Sequence, residues 1–242
     1  MDARLLKHHY ESELEARSRP GGGDTRHGRR MYRAMLKASR NLPPCQVDNP
    51  GSAWVWSDLH LGHDNIIRYA NRPFADAAQM DASLYDSWEA TVGSDEDLVF
   101  VGDVAMGRAV APQTWQRIRD GQGGRKHLVI GNHDLTGSGQ LRIDGFDTIG
   151  TVMFVDGDPP LLFTHIPLTD VPAGCVNVHG HTHDETPGPT PHINVSVEQL
   201  DYRPVALPRL RRLARRLVRG RYPDGATTLE RIDAVESEHT AQ

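Results

Sequence analysis

Residues 126–134 read KHLVIGNHD, and the fold turns on how that stretch is read. Lys126 to Ile130 has the makings of a β-strand. The polar block Gly131-Asn132-His133-Asp134 follows it with no intervening loop. The same construction recurs outward along the chain. Asp97 to Val101 (DLVFV) leads into Gly102-Asp103, and Ser52 to Ser57 (SAWVWS) leads into Asp58-Leu59-His60. Downstream, Leu161 to Thr164 leads into His165, and Val176 to His179 leads into Gly180-His181-Thr182-His183. In layered α/β sheets, ligand sites collect where strands end and loops begin.

Helices are predicted between these strands. Gly62 to Tyr69 is one, and Ala77 to Val92 is another, with Met80, Leu84, Trp88 and Val92 spaced four apart. Pro112 to Asp120 is a third, with proline in its first turn. Thr148 to Val155 and Ile193 to Val197 read as further strands. Gly121 to Gly124 (GQGG) lacks the lysine and spacing of a phosphate-binding loop and reads as a turn. Strands alternating with helices, then a run of strands, predict an α/β fold around a layered sheet core.

Length and composition bound the rest. A chain of 242 residues can bury one large core. At 38% apolar and 24% charged it is neither a membrane protein nor wholly disordered. No apolar run approaches the ~20 residues that span a bilayer. Met1 to Tyr10 has no apolar signal region, so the expected location is cytoplasmic. Two cysteines, Cys45 and Cys175, leave room for one disulfide but no disulfide scaffold.

Charge divides the chain. Residues 1–50 hold ten basic and six acidic residues, residues 51–202 hold eight and 21, and residues 203–221 hold eight arginines and no acid. Residues 222–242 are acidic again. The expected organisation is a basic, partly flexible extension over 1–50, broken at Pro20-Gly21-Gly22-Gly23, with a short basic helix over Arg30 to Arg40 and no part in the core. Residues 51–202 form the central domain. Residues 203–242 form an arginine-rich helix, Leu207 to Arg219, and a frayed polar tail. That helix has a leucine face to dock, with its arginines either solvated or touching a polyanion.

Nine of the 13 histidines lie in the acidic centre. Asp58 and His60, two apart in an extended loop, can face one cation together. Asp103, after a glycine that allows close backbone approach, can bridge two ions. Asn132 offers a neutral oxygen, and His181 and His183 can reach different ions. This nitrogen and oxygen set without thiolate favours manganese, iron or zinc.

The order D-x-H, G-D, G-N-H-D, H, G-H-x-H resembles the calcineurin-like metallophosphoesterase family, from Trp54 to about Val197. Ser57 to Phe74 (SDLHLGHDNIIRYANRPF) also looks like a compact bacterial and phage subgroup. The resemblance implies a four-layer αββα sandwich with two mixed β-sheets and two divalent metal ions, manganese first, with iron or zinc as alternatives. Asp58, His60, Asp103 and His183 would hold one ion. Asp103, Asn132, His165 and His181 would hold the other. His133 is the implied non-ligand catalytic histidine and Asp134 its orienting partner. Many relatives have a second aspartate three residues after the bridging one; here it is Met106.

The implied activity is hydrolysis of a phosphate ester, by in-line attack of a metal-bridging hydroxide, on a phosphorylated small molecule or nucleotide. The alternatives are a phosphodiesterase or nuclease that meets nucleic acid through the basic ends, and a non-catalytic binding module that keeps the fold. His63, Asn65 and Arg72 are candidate substrate contacts. The plainer reading has His63 capping the following helix and Arg72 in a surface ion pair. His127, His179 and His192 read as structural. Oligomeric state leaves no trace in the sequence.

Overall fold

A computed structural model describes residues 1–20, 25–106, 112–186 and 188–240. Gly21 to Gly23 of the predicted flexible break lie outside the described residues. In chain order the elements begin with α1 (Ala3–Ser18), α2 (Arg26–Asn41), β1 (Ala53–Trp56), α3 (Asp64–Tyr69) and α4 (Ala77–Thr91). There follow β2 (Asp97–Phe100), α5 (Pro112–Asp120), β3 (Lys126–Val129), β4 (Thr148–Gly150), β5 (Val152–Val155) and β6 (Leu161–Thr164). The last are β7 (Val176–His179), β8 (His192–Asn194), β9 (Val205–Ala206), α6 (Leu207–Leu217) and α7 (Thr228–Thr240).

The strands form two mixed sheets, as an α/β reading requires. One has the order β4-β3-β2-β1-β9, parallel except for β9. The other has the order β5-β6-β7-β8, parallel except for β5. The predicted strand stretch Thr148 to Val155 divides at Thr151, so the chain leaves the first sheet at β4 and enters the second at β5.

The residues of β2, β3, β6 and β7 are buried throughout, which suits parallel strands covered on both faces. Helix α4 starts at Asp76, whose carboxylate accepts the Gln79 N–H at 2.8 Å. It lays Met80, Leu84 and Trp88 into the core. The Trp88 ring meets Trp56 of β1 and Phe100 of β2 edge-on, at 6.1 and 5.5 Å.

Both ends of the chain correct the sequence reading. Residues 1–50 were expected to take no part in the core. Instead α1 buries Leu6, Tyr10 and Leu14, and α2 buries Tyr32 and Met35, all within the main core. The physical reason is a four-residue apolar spacing on α1 that the surrounding charges mask. Beyond α2, the Cys45 N–H donates to Val152 O at 2.8 Å and ties the segment to β5.

At the other end, α6 docks Leu207, Leu210, Leu213 and Leu217 as expected. Its arginines, however, are not simply solvated. Arg209 pairs with Asp233 and Glu236, each at 2.7 Å, and Arg216 with Glu238 at 2.7 Å. Arg212 also pairs with Glu236, and Arg211 donates to Pro159 O at 2.6 Å. The predicted frayed tail is therefore α7, held by these pairs and by buried Ile232 and Val235. Both cysteines are free and buried. Among the described residues no helix is long and apolar enough to cross a membrane.

Candidate metal centre

The polar blocks at the strand ends interlock. Beyond β1 and β2, the N–H groups of Asp58, His60 and Leu61 donate to the carbonyls of Gly102, Asp103 and Val104, each at 3.0 Å. The His181 N–H reaches from the second sheet to Asp58 Oδ2 at 3.0 Å, and the Val197 N–H reaches Ser57 O at 3.0 Å. Eight described non-glycine residues have positive φ. Five of them are predicted ligands: Asp58, His60, Asp103, His181 and His183. Aspartate and histidine tolerate this left-handed region better than most residues, at a cost of about 1 kcal/mol or more each. Such conformations persist only where the surroundings enforce them, and they cluster at functional sites.

Glycines make the close approach sterically feasible. Gly102 has φ +93°, and a side chain there would run into the His165 ring and the Gly131 backbone. A side chain at Gly131 would overlap Asp103, and one at Gly180 would overlap Ser57 and Asp58.

Each carboxylate is anchored by one oxygen and turns the other toward histidine rings. Asp58 is wholly buried. Its Oδ2 accepts from Ser57 Oγ at 2.6 Å, Ser196 Oγ at 3.0 Å and the His181 N–H. Its Oδ1 has no hydrogen-bond partner and lies 3.8 Å from both His60 Nε2 and His183 Nε2. Both ring nitrogens of His60 are likewise buried and unpartnered. Asp103 Oδ1 accepts the His133 N–H at 2.8 Å. Its Oδ2 faces His165 Nε2 at 3.3 Å and His60 Nε2 at 3.7 Å.

Hydrogen bonds behind the rings fix which nitrogens face inward. His165 Nδ1 sits 2.8 Å from Val101 O, an acceptor only, so Nδ1 carries the proton. His165 Nε2 then faces the cluster, 3.2 Å from Asn132 Oδ1. His183 Nδ1 donates to Glu198 Oε1 at 3.1 Å, which turns its Nε2 inward too. Two donors bound to one cation at ~2.1 Å sit roughly 3–3.5 Å apart, close to the spacings seen here. Asp58, His60 and His183 bring donor atoms within 4.8 Å of one another, and so do Asp103, His165 and His181. A third such group, His60, Asp103 and His133, joins these two.

Burial alone would raise the carboxyls of Asp58 and Asp103, but the imidazoles around them hold both well below the usual range. Burial works against the charged form of His165, but Asp103, Asp58 and the Val101 carbonyl together push it up to about 10. His181 goes down to about 4, through burial and the neighbouring His165. The cluster thus pairs buried negative carboxylates with positive charge, the electrostatic setting of a cation site.

Two predicted roles need correction. Asp134 is wholly buried, and its oxygens accept the N–H groups of Asp103 at 2.9 Å, Gly131 at 2.7 Å and Val104 at 3.0 Å. It ties two loops together rather than orienting the His133 ring, because the tight turn surrounds its carboxylate with backbone donors. Burial and the charge of Asp103 push its carboxyl up to about 7.

Arg72 is not a substrate contact. Its buried guanidinium lies under the Asp58–His60 loop and donates to Asp58 O at 2.6 Å and Leu59 O at 2.9 Å. It also pairs with Glu198 at 2.7 Å.

The other candidates line a cleft of about 490 Å³ beside the cluster, together with Met106 and Tyr69. His133 is partly buried there, its ring 5.1 Å from that of His60. His63 precedes α3 but makes no side-chain cap. Burial and the charge of His60 take its ring down to about 4. Asn65 Oδ1 accepts from Arg68 at 2.6 Å.

Ser57, Ser196 and Glu198 were missed by sequence reasoning. Nothing in VSVEQL distinguishes Glu198 from an ordinary helical acid. His127, His179 and His192 are structural, bonded to Thr148 Oγ1, Gly180 O and Leu168 O at 2.8, 2.8 and 2.9 Å.

No family model matches the chain. An uncharacterized protein of Methanocaldococcus jannaschii is 29% identical over 161 residues, which cover 64% of this chain and 86% of that protein. The gene 66 protein of Mycobacterium phage L5 is 26% identical over 166 residues, covering 54% of this chain and 77% of the phage protein. Among solved structures, a protein of unknown function from Aquifex aeolicus superposes with a TM-score of 0.54 at 22% identity. The match covers 66% of this chain and 98% of that one. That likeness speaks for the two-sheet α/β fold.

Proposed function

We propose that this chain is a metal-dependent phosphoric ester hydrolase of the calcineurin-like kind, with the four-layer αββα arrangement that reading entails. One observation carries it: two groups of inward-facing donors, Asp58, His60 and His183 on one side and Asp103, His165 and His181 on the other, lie side by side, and the buried Asp103 Oδ2 faces a histidine of each, His60 at 3.7 Å and His165 at 3.3 Å. Asp58, His60, Asp103 and His183 would hold one divalent cation, and Asp103, Asn132, His165 and His181 the other. The donor set suits manganese, iron or zinc. Bound there, such ions would acidify a water near neutral pH and neutralise phosphoryl charge.

The chain's own residues supply the rest. The Val101 carbonyl and the Glu198 carboxylate keep Nε2 of His165 and His183 facing the cluster. His133 borders the cleft, and burial holds its pKa below the ordinary histidine value. Its N–H would stabilise the charge growing on the leaving oxygen. A cleft of about 490 Å³ suits a small phosphorylated molecule. The nuclease reading relied on free basic ends, and the pairing of the α6 arginines with α7 removes part of that support.

The purified protein with Mn²⁺ is expected to hydrolyse 4-nitrophenyl phosphate or its bis(4-nitrophenyl) diester. His133→Ala should keep its metal and lose about 100-fold or more in kcat. Inactivity on both esters with two ions bound contradicts the proposal, and so does normal turnover by His133→Ala.

A further inference from the structure

Beside the cleft lies a second, smaller cavity of about 220 Å³. Helix α2 forms one side of it through His27, Arg30 and Met31, and the segment after β3 forms the other through Asn132, His133 and Gly137. His133 lines both spaces, so they adjoin at the residue expected to face the leaving group. We propose that Arg30 is a substrate-binding residue that takes a second anionic group, a carboxylate or phosphate, on the molecule whose phosphate ester occupies the cleft. The inference rests on the phosphoesterase reading for the ester and adds the substrate class: small phosphoesters with a second negative charge.

Arg30 is the α2 guanidinium that lines this cavity. Along α2, Arg33 donates to Ser18 O at 3.1 Å, Lys37 donates to Ser138 O at 2.9 Å, and Arg40 faces Glu15 at 3.7 Å. Arg30 has no hydrogen bond or ion pair among the described residues. Its guanidinium rests where a side chain at Gly137 would be, so the glycine makes room for it. A guanidinium fork matches carboxylate and phosphate oxygens in pairs.

The opposite flank offers no comparable group. There α1 borders a cavity of about 950 Å³ that reaches His181. Its Arg17 is taken by Pro167 O and Thr169 Oγ1 at 3.2 and 2.6 Å, and its His9 contacts Asp170 O at 2.7 Å. Glu13, Asp170 and Glu185 line that cavity too, which disfavours an anion. The size of the Arg30 cavity suits one anionic group.

The test is calorimetric binding to the full-length, Mn²⁺-loaded protein, with ligands that cannot be hydrolysed. The probes are phenylphosphonate and its 3- and 4-carboxy derivatives. At least one carboxy derivative is expected to bind about tenfold tighter than phenylphosphonate, the scale of a charge-assisted pair. Arg30→Gln should abolish that preference and leave phenylphosphonate binding unchanged, which also reports an intact fold. Arg30→Lys should keep part of it. If neither carboxy derivative is preferred, or if Arg30→Gln weakens all three alike, the inference fails. Binding is read without turnover. A protein that shows the Arg30-dependent preference but hydrolyses no ester would overturn the phosphoesterase reading and keep the anion site. Ester hydrolysis without the preference would do the reverse.

Discussion

Arg72 and Glu198 form an ion pair inside the protein, 2.7 Å apart, and each steadies a different part of the aspartate and histidine cluster. Arg72 grips the carbonyls of Asp58 and Leu59, while Glu198 holds the ring of His183. Arg72→Met would leave the Glu198 carboxylate buried opposite a neutral side chain, a loss of about 3–5 kcal/mol. In a chain of this length that corresponds to a fall in Tm of roughly 10 °C at neutral pH. Burial tends to raise the Glu198 carboxyl, but His183 and Arg72 hold it below its ordinary value. The stabilisation is therefore full above the ordinary carboxylate pKa and lost as acid takes pH through the lowered one. In Arg72→Met the carboxyl moves up instead, so the gap in Tm should narrow toward pH 4. A gap that is absent, or that widens in acid, contradicts this account. The pair was hidden in the sequence because motif spacing marks donors that face a site, not residues that act from behind. Asp134 shows the same limit: a carboxylate beside a histidine reads as its partner until backbone N–H groups are seen to claim both oxygens.

At the scale of elements, strand ends were the legible part. Each apolar run stops directly at a chemically distinctive block, so the positions of Asp58, Asp103, Asn132, His165 and His181 followed from local sequence. The terminal helices were harder to read because charge dominates their composition. In α1 the core contribution is three residues, Leu6, Tyr10 and Leu14, set among lysine, histidine and glutamate. In α7 it includes Ile232 and Val235. Burial rather than charge pairing should anchor α6. Leu213 is wholly buried, so Leu213→Ala is expected to cost about 2–5 kcal/mol in denaturant unfolding. Glu236 pairs with Arg209 and Arg212 from a partly exposed position, so Glu236→Gln should cost about 1 kcal/mol or less. The reverse order would mean that the arginines, not the leucines, hold the helix.

For the whole molecule, the decisive feature is the meeting of two sheets at one cluster. The link from His181 N–H to Asp58 joins β7's loop to β1's, across more than half the length of the chain, and no local pattern encodes it. Beside that junction α1 lines the cavity that reaches His181 and α2 the one that reaches His133. The central claim is that the junction holds two cations through one shared carboxylate. Its most direct test is Mn²⁺ titration of chelator-stripped protein, with bound metal counted per chain in the wild type and in Asp103→Ala. The account predicts two ions per wild-type chain and weakened binding of both in Asp103→Ala. One ion or none in the wild type, or two that Asp103→Ala leaves undisturbed, would contradict it.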